Sequence, residues 1–269
     1  MTQDNVKFEV LISCMFEHGF DIVSRSNLKT NCCIINQCDS DSVEICQMGN
    51  SLIHKHNMNE RGLSRSRNAA ILNSNADVVL ISDNDEIFID NLESVILKEY
   101  QAYPDADVIV FKINVHENNS ELHQKGWPLS KRLNWMDVLK VSSIQISFRR
   151  KSILEKNIQF DERFGAGSPG GGAGEENIFL EDCLRHNLTI QYVPLEIATI
   201  GAPAESTWFK GYDSHYFLRR GQATKRMLGP FKAFLYAGYY TVAKYDLYKK
   251  YISPLSALMH MIQGICQRL

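Results

Sequence analysis

Residues 77–88 read DVVLISDNDEIF, and this stretch decides the fold class of the chain. An apolar run of this length, bounded by polar residues, is typical of a strand that is buried on both faces of a sheet. Ligands of such sheets bind where the strands end. The acids Asp83, Asp85 and Glu86 follow the run at once, so they occupy the position where a ligand is expected.

The same alternation of buried strand and amphipathic helix extends in both directions from this stretch. Further strands are predicted at residues 8–14, 32–36, 107–115, 144–149 and 190–193, and helices at 63–72, 92–100, 151–156 and 176–184. Ser64 is the predicted N-cap of the first helix. Residues 127–137 are predicted to form a loop or acceptor-side structure. Strands that alternate with helices predict an α/β fold with helices on both faces of the sheet.

The acidic cluster after the strand predicts a metal site. Carboxylates packed as closely as those of Asp83 and Asp85 repel one another. A divalent cation removes that repulsion, and oxygen ligands at this spacing suit Mg²⁺ or Mn²⁺, which in turn would hold a diphosphate. The alternative is an acidic turn that caps the following helix.

Residues 60–68, ERGLSRSRN, open a predicted helix about twenty residues before the acidic cluster. A helix N-terminus favours anions, and three arginines add positive charge and forked hydrogen-bond donors. The segment therefore predicts a phosphate contact. The alternative is a solvated helix face on which Asn68 bonds to a neighbouring loop.

A glycine-rich segment, residues 164–174, leads directly into Glu175 and Glu176. So much glycine predicts a mobile loop. A carboxylate behind such a loop can act as a general base when the loop closes. The alternative is ordinary, because acids are common in the first turn of a helix.

Charge is distributed unevenly along the 269 residues. Residues 206–269 carry ten Lys and Arg against two acids, a net charge of +8, which leaves −10 for residues 1–205. Residues 231–265 of this tail are also rich in Tyr, Phe, Leu and Met and predict two helices broken near Pro254. We interpret residues 1–205 as a catalytic domain and 206–269 as a basic helical region. The tail suits an anionic membrane surface or a homodimer contact, and a solvated basic face is the third alternative.

Composition excludes several classes of protein. The best apolar run, residues 252–265, is too short to span a bilayer. The seven cysteines lack zinc-site spacing and follow a polar N-terminus, which predicts reduced thiols in the cytoplasm. The acidic body and the lack of a recognition motif argue against nucleic-acid binding.

Five segments, taken in order, resemble the family-2 glycosyltransferases of the GT-A fold. They are FEVLISC (8–14), CCIINQCD (32–39), RGLSRSRNAAI (61–71), ISDNDE (81–86) and FGAGSPGGGAGEENIFLEDCL (164–184). The last segment is most similar to a bacterial branch that builds surface polysaccharide such as O-antigen or capsule. The resemblance covers residues 6–200. It implies a Rossmann-like mixed sheet flanked by helices, with a helical C-terminal extension.

The resemblance also implies roles for particular residues. Asp83 and Asp85 match the DxD acids, with Asp85 as the main metal ligand. The positions implied to bind the nucleotide sugar are Ser13, Asp39, Gly62, Ser64, Arg67, Asn68 and Asp83, and Asp39 would contact the base. Glu176 aligns with the catalytic base and Glu175 with its neighbour, but Glu replaces the usual Asp, so either can be the base.

The sequence departs from the family pattern at two further places. The segment EIATIGAPAEST (196–207) lacks the histidine that often serves as a further metal ligand, and His215 is a weak substitute. After the first strand, CMFEHG replaces the usual small polar residue and asparagine. Nucleotide contacts there are expected to differ from those of the family.

The function implied is metal-dependent inverting transfer of a sugar, with Mn²⁺ or Mg²⁺ as cofactor. The donor would be a nucleotide sugar, UDP-linked in most of the family, and the acceptor a glycan on polyprenyl pyrophosphate at the cytoplasmic leaflet. Two alternatives stand beside it. One is a non-catalytic relative that binds sugar nucleotides. The other is a nucleotidyltransferase, which usually carries a glycine-rich loop after its first strand, where this chain has CMFEHGF.

Overall fold

A computed structural model describes residues 6–115, 126–168, 174–200 and 211–268. The strands are β1 (Phe8–Met15), β2 (Cys32–Gln37), β3 (Ser42–Met48), β4 (Ser51–Met58), β5 (Val78–Ser82), β6 (Glu86–Phe88), β7 (Val108–Val115), β8 (Lys131–Arg132), β9 (Ile146–Arg149) and β10 (Ile190–Ile200). The helices are α1 (Asp21–Arg25), α2 (Leu63–Asn73), α3 (Leu92–Ala102), α4 (Trp135–Val138), α5 (Arg150–Glu155), α6 (Glu175–Arg185), α7 (Ser214–Ala243), α8 (Tyr245–Tyr248) and α9 (Pro254–Cys266).

The described strands form one mixed sheet, which confirms the predicted α/β class. Its order is β3-β4-β2-β1-β5-β9-β7-β10-β6, and β8 pairs with β10 off this path. Strands β4, β2, β1 and β5 run parallel to one another, whereas β3 is antiparallel to β4 and β9 is antiparallel to both β5 and β7. The carboxyl ends of four adjacent strands therefore meet at one edge.

Alternation along the central strands sends side chains to two different layers. Val10 and Ile12 of β1 lie in the main hydrophobic core together with Ile96 and Tyr100 of α3. On the opposite face, Cys33 Sγ lies 3.9 Å from the carbonyl oxygen of Ala70 in α2. Because successive side chains of a strand point to opposite faces, continuous apolar strands are what a sheet covered on both sides requires.

The hairpin of β3 and β4 was not predicted from the sequence. Its strands pair antiparallel from Ser42 opposite Asn57 to Met48 opposite Ser51. The apolar side chains Val43 and Ile45 of this edge strand are exposed, so its hydrophobic pattern does not report a buried face. The buried Lys55 holds the hairpin instead: it pairs with Glu44 on the opposite strand of the hairpin at 3.0 Å and donates to the Gly19 carbonyl, outside the hairpin, at 2.9 Å.

Several predicted boundaries were wrong. Ser64 is not an N-cap, because α2 already begins at Leu63. Residues 127–137 contain β8 and the start of α4, which Asn134 caps. Ile144 lies in a 3-10 turn before β9, and the strand predicted at residues 190–193 continues to Ile200.

The C-terminal region has more breaks than the one predicted near Pro254, since the short helix α8 lies between α7 and α9. Pro254 begins α9, capped by Ser253, as expected of a proline in the first turn. In addition, α7 kinks at Gly229 (φ 73°), the residue before Pro230. A proline disfavours the helical conformation of the residue that precedes it. Within the described residues, no helix is both long and apolar enough to cross a membrane.

The chain divides into two compact units. The first comprises the described residues of Met1–Arg61, Arg65–Gln159 and Leu180–Ala204 and contains the sheet. The second comprises the described residues of Gly62–Ser64, Phe160–Phe179 and Glu205–Leu269. This division shows only which residues lie close together in space. The catalytic role of residues 1–205 stays a prediction.

Helices α7 and α9 of the second unit touch at two glycines. A Cβ on Gly264 would lie 2.0 Å from the carbonyl oxygen of Leu218, and one on Gly221 would lie 2.1 Å from that of Met261. Such distances are far inside van der Waals contact. The two helices can approach this closely only because both positions lack a side chain.

We expect Gly264→Ala to lower the free energy of unfolding by about 1–3 kcal/mol, because the added methyl group must push α9 off α7. The matched control is Gly238→Ala in α7, where a Cβ would meet nothing within 4 Å. That variant should gain about 0.5–1 kcal/mol from the better helix propensity of alanine. Urea unfolding followed by circular dichroism measures both changes, and equal effects at the two sites would contradict the close crossing.

Candidate active site

A cluster of an aspartate, an arginine and an aromatic ring lies at the carboxyl ends of β1 and β2. Asp39 follows β2, and its side chain is largely exposed. Its Oδ1 accepts a hydrogen bond from Arg61 at 2.5 Å, and Arg61 also donates to the Cys38 carbonyl at 2.7 Å. The guanidinium of Arg61 lies 5.0 Å from the centre of the Phe16 ring. The predicted base-contacting acid is therefore held in place by Arg61.

Phe16 is a site residue that sequence reasoning missed. It directly follows β1, is 51% exposed and has a φ of 51°, in the left-handed region. A bulky residue is uncommon in that conformation, and such outliers cluster at ligand sites. Arg61 therefore contacts both the half-exposed ring of Phe16 and the carboxylate of Asp39. The signal that could have found it is an aromatic residue at the position directly after the first strand.

The end of β5 carries the acidic cluster, with Asp83 fixed by a buried arginine. Arg67 of α2 is 1% exposed and donates from Nη2 to Asp83 Oδ1 and to Ser143 Oγ, both at 2.9 Å. A buried guanidinium requires such partners, because removing an unpaired charge from water costs several kcal/mol. In this arrangement the charge of Arg67 orients Asp83.

The two acids that follow Asp83 in the cluster, Asp85 and Glu86, both have a raised pKa. Packing around the carboxyl group of Asp85 raises its pKa, and the negative charge of Asp83 adds to the effect, although Asp85 is exposed as a residue. Burial raises the pKa of Glu86 well above its usual range, with further contributions from Asp83 and Asp85. Ser82 Oγ donates to Glu86 Oε2 at 2.8 Å. Glu86 therefore favours the neutral form.

The carboxylates of Asp83 and Asp85 fit a divalent cation only if a bound substrate completes its coordination. Among the described residues, no group of three or more His, Cys, Asp or Glu side chains is arranged to hold a metal ion. Mg²⁺ commonly binds through one or two carboxylates together with substrate phosphates. Asp83 and Asp85 supply that number. Burial is the main cause of the raised pKa of Asp85, and the negative charge of Asp83, which a cation would offset, adds to it. Residues 201–207, where a further ligand was sought, lie outside the described residues, and His215 is exposed at the start of α7.

The remaining predicted nucleotide contacts lie in and around the first turns of α2. Ser13 is buried on β1 and accepts a hydrogen bond from Ser66 Oγ at 2.9 Å. Asn68 is also buried. Gly62 has a φ of 123°, and Ser64 donates from Oγ to the Phe164 carbonyl at 2.8 Å. The hydroxyls of Ser64 and Ser66 thus serve contacts within the protein, and their predicted roles in nucleotide binding stay predictions.

Glu175 and Glu176 form the first turn of α6 in the second unit. Glu175 is buried, and a Cβ on Gly165 would lie 3.3 Å from its Cδ and 3.1 Å from Ser64 Oγ. Glu176 is partly exposed. Consecutive residues of a helix point about 100° apart, so the two carboxyl groups face different surroundings. Residues 169–173 of the predicted closing loop lie outside the described residues.

Comparison with known proteins gives a family match and a set of similar folds. The sequence profile described as glycosyl transferase family 2 matches residues 21–162, more than half of the chain. Among curated protein sequences, none matches the chain significantly.

Solved structures of TarS from S. aureus resemble the fold. The complex of TarS 1–349 with UDP-GlcNAc is 10% identical, with a TM-score of 0.63 over 96% of this chain and 81% of that chain. The complex with UDP is 11% identical, with a TM-score of 0.61 over 97% and 81%. A third TarS 1–349 structure has 11% identity and a TM-score of 0.53 over 82% of this chain, which spans 65% of that chain. At such identities the likeness shows the fold alone, and it is the predicted GT-A fold.

Proposed function

Because this chain belongs to glycosyl transferase family 2, we propose that it is an inverting glycosyltransferase. It moves a sugar from a nucleoside-diphosphate donor to a hydroxyl group of a glycan acceptor. The observation that carries the proposal is the acidic cluster at the end of β5, where buried Arg67 holds Asp83 at 2.9 Å beside Asp85. A fixed carboxylate pair at this edge of a parallel sheet is suited to bind a diphosphate through a cation.

The nucleotide would lie across the carboxyl ends of β2, β1 and β5. Strands β2 and β5 flank β1, so their ends lie roughly 10 Å apart. One extended nucleotide can therefore reach from Asp39 to Asp83. The ring of Phe16 offers the base a stacking surface, and Asp39 offers it a hydrogen-bond acceptor. UDP is the nucleotide we propose, since TarS structures with UDP and with UDP-GlcNAc share the fold.

Glu176 is the residue we propose as general base, because it is partly exposed whereas Glu175 is buried against Gly165. Its carboxylate accepts the proton of the acceptor hydroxyl as that oxygen attacks the anomeric carbon. The bond between this carbon and the diphosphate oxygen breaks, and the nucleoside diphosphate leaves. A single displacement of this kind inverts the configuration. Mn²⁺ or Mg²⁺ held by Asp85 and Asp83 would neutralise charge on the leaving diphosphate.

The acceptor we propose is a glycan carried on polyprenyl pyrophosphate in bacterial surface-polysaccharide synthesis, such as that of O-antigen or capsule. The support is the similarity of residues 164–184 to that branch of the family and the basic charge of residues 206–269. The work would then take place in the cytoplasm, at the inner leaflet of the plasma membrane. The alternative of a non-catalytic sugar-nucleotide-binding relative predicts donor binding without transfer.

We expect calorimetric titration of the protein with UDP, TDP and GDP to show binding of UDP in Mn²⁺ and at least tenfold weaker binding in EDTA. The physical reason is that two carboxylates repel a diphosphate unless a cation lies between them. Preference for TDP or GDP would change the proposed donor class. Lack of binding by all three nucleotides to folded protein would overturn the proposed site.

A further inference from the structure

The C-terminal half of α7 presents a stripe of large apolar side chains to solvent. Its members, which we call the outer face of α7, are Phe231, Phe234, Leu235, Tyr239 and Val242. Their exposed fractions are 77%, 43%, 64%, 62% and 80%. Spacings of three and four residues place all five on one side of a helix. A helix that needed only to cover its own core would have polar residues here.

The opposite side of the same helix segment already fills the core of the second unit. Ala233, Ala237 and Tyr240 are buried there with Tyr248 of α8 and Met261 of α9. The segment therefore has two apolar faces, and among the residues that the structure describes only the inner one packs into a core. Exposed apolar stripes of this kind mark surfaces that meet a partner or a membrane.

The segments that follow α7 also expose large apolar side chains. Tyr245, Leu247 and Tyr251 are exposed between α7 and α9, and Leu255 and Met259 of α9 are 68% and 58% exposed. Tyrosine is the side chain that suits a boundary with water, because its ring is apolar and its hydroxyl is polar.

The charge of this region argues for one occupant. Residues 206–269 hold ten basic and two acidic side chains. Lys232, Lys249 and Lys250 are exposed, and in the sequence Lys232 follows the exposed Phe231 while Lys250 precedes the exposed Tyr251. Of the two acids, Asp246 pairs with Lys249 at 2.7 Å. A homodimer with twofold symmetry would bring two copies of the same basic surface together, which like-charge repulsion opposes. An anionic phospholipid surface satisfies both the apolar stripe and the lysines.

We propose that the outer face of α7 docks this protein on an anionic phospholipid bilayer, with Phe231, Leu235 and Val242 entering the headgroup boundary. The lysines of the α7–α9 region contact lipid phosphates while their stems lie along the apolar surface. The protein would lie on the leaflet without crossing it. This docking is independent of the transfer reaction, so it can hold even if the proposed function is wrong.

The test is sedimentation of the full chain with vesicles. One set contains phosphatidylcholine alone, and the other contains equal parts of phosphatidylcholine and phosphatidylglycerol. We expect binding to the mixed vesicles at low salt, weak binding to phosphatidylcholine and release as salt rises. The double variant Phe231→Ser, Leu235→Ser should bind the mixed vesicles about tenfold more weakly or worse, and Lys232→Gln with Lys250→Gln should lose about fivefold per lysine removed.

A matched control comes from β3, where Val43 and Ile45 are 61% and 68% exposed. The double variant Val43→Ser, Ile45→Ser removes similar apolar surface and should bind vesicles as the wild type does. Thermal unfolding checks that each variant is folded. Equal binding to both vesicle types, or none to the mixed vesicles, would overturn the proposal. So would light scattering that shows a dimer which Phe231→Ser with Leu235→Ser converts to monomer.

Discussion

We expect Glu176→Gln to bind UDP as tightly as the wild type and to transfer sugar about 10²–10⁴-fold more slowly, the usual contribution of a general base. Glutamine keeps the size of the side chain and loses only the ability to accept a proton. Donor affinity should not change, because that affinity is assigned to the first unit, where Asp83 and Asp85 lie. Transfer measured as nucleotide release with acceptor present, beside calorimetry, separates the two effects.

The control for this experiment is Glu175→Gln, one residue earlier in the first turn of α6. Glu175 is buried against Gly165. Its substitution should therefore lower the melting temperature and leave the rate of transfer close to that of the wild type. If Glu175→Gln loses transfer and Glu176→Gln retains it, the base is Glu175. If both variants retain transfer, the proposed acid–base role of this turn is wrong.

The second large effect is expected for Asp85→Ala. Without this carboxylate the proposed cation would lose one of its two proposed protein ligands, so UDP affinity in Mn²⁺ should fall to the value in EDTA. Transfer should fall about 10²–10³-fold, because a bound cation contributes several kcal/mol to stabilisation of a leaving diphosphate. Calorimetry with and without Mn²⁺ measures the first effect, and the rate of nucleotide release measures the second.

Asp90→Ala provides the matched control for loss of a nearby acid. Asp90 lies five residues further on and is exposed, where Lys29 pairs with it at 2.6 Å and Asn27 donates to it at 3.4 Å. Exposed ion pairs of this kind contribute little to stability. UDP binding by Asp90→Ala should therefore depend on Mn²⁺ as in the wild type. Metal-dependent binding that survives in Asp85→Ala would remove Asp85 from the metal site.

The central strands were predictable because their apolar runs are long and unbroken. Residues 8–14, 32–36 and 77–82 match β1, β2 and β5 within one residue at each end, since strands covered on both faces have no polar positions. The β3–β4 hairpin was not predictable in this way. Its outer strand is covered on one side at most, and Lys55, a residue expected at the surface, is buried there. Its salt bridge to Glu44 joins residues eleven apart in the chain.

For the candidate site, the sequence identified the acids but not their partners. Asp39, Asp83 and Asp85 follow strands, so their position at the sheet edge follows from the strand pattern. That Arg61 holds Asp39 and Arg67 holds Asp83 depends on which way each side chain leaves its helix or loop. The sequence predicted a phosphate contact for the arginine segment. It did not predict that the guanidinium of Arg67 would be buried and would therefore need a carboxylate partner.

The sequence by itself determined the α/β class, the order of the central strands along the chain and the acids that follow them, because hydrophobic periodicity is a local property. It also determined the basic, aromatic composition of the C-terminal region. Only the tertiary structure decided that Phe16 lies under Arg61 and that Glu86 is buried and favours its neutral form. The same holds for the outer face of α7, which is exposed while the inner face is packed. Burial, protonation and pairing depend on residues distant in the chain, and a local pattern cannot contain them.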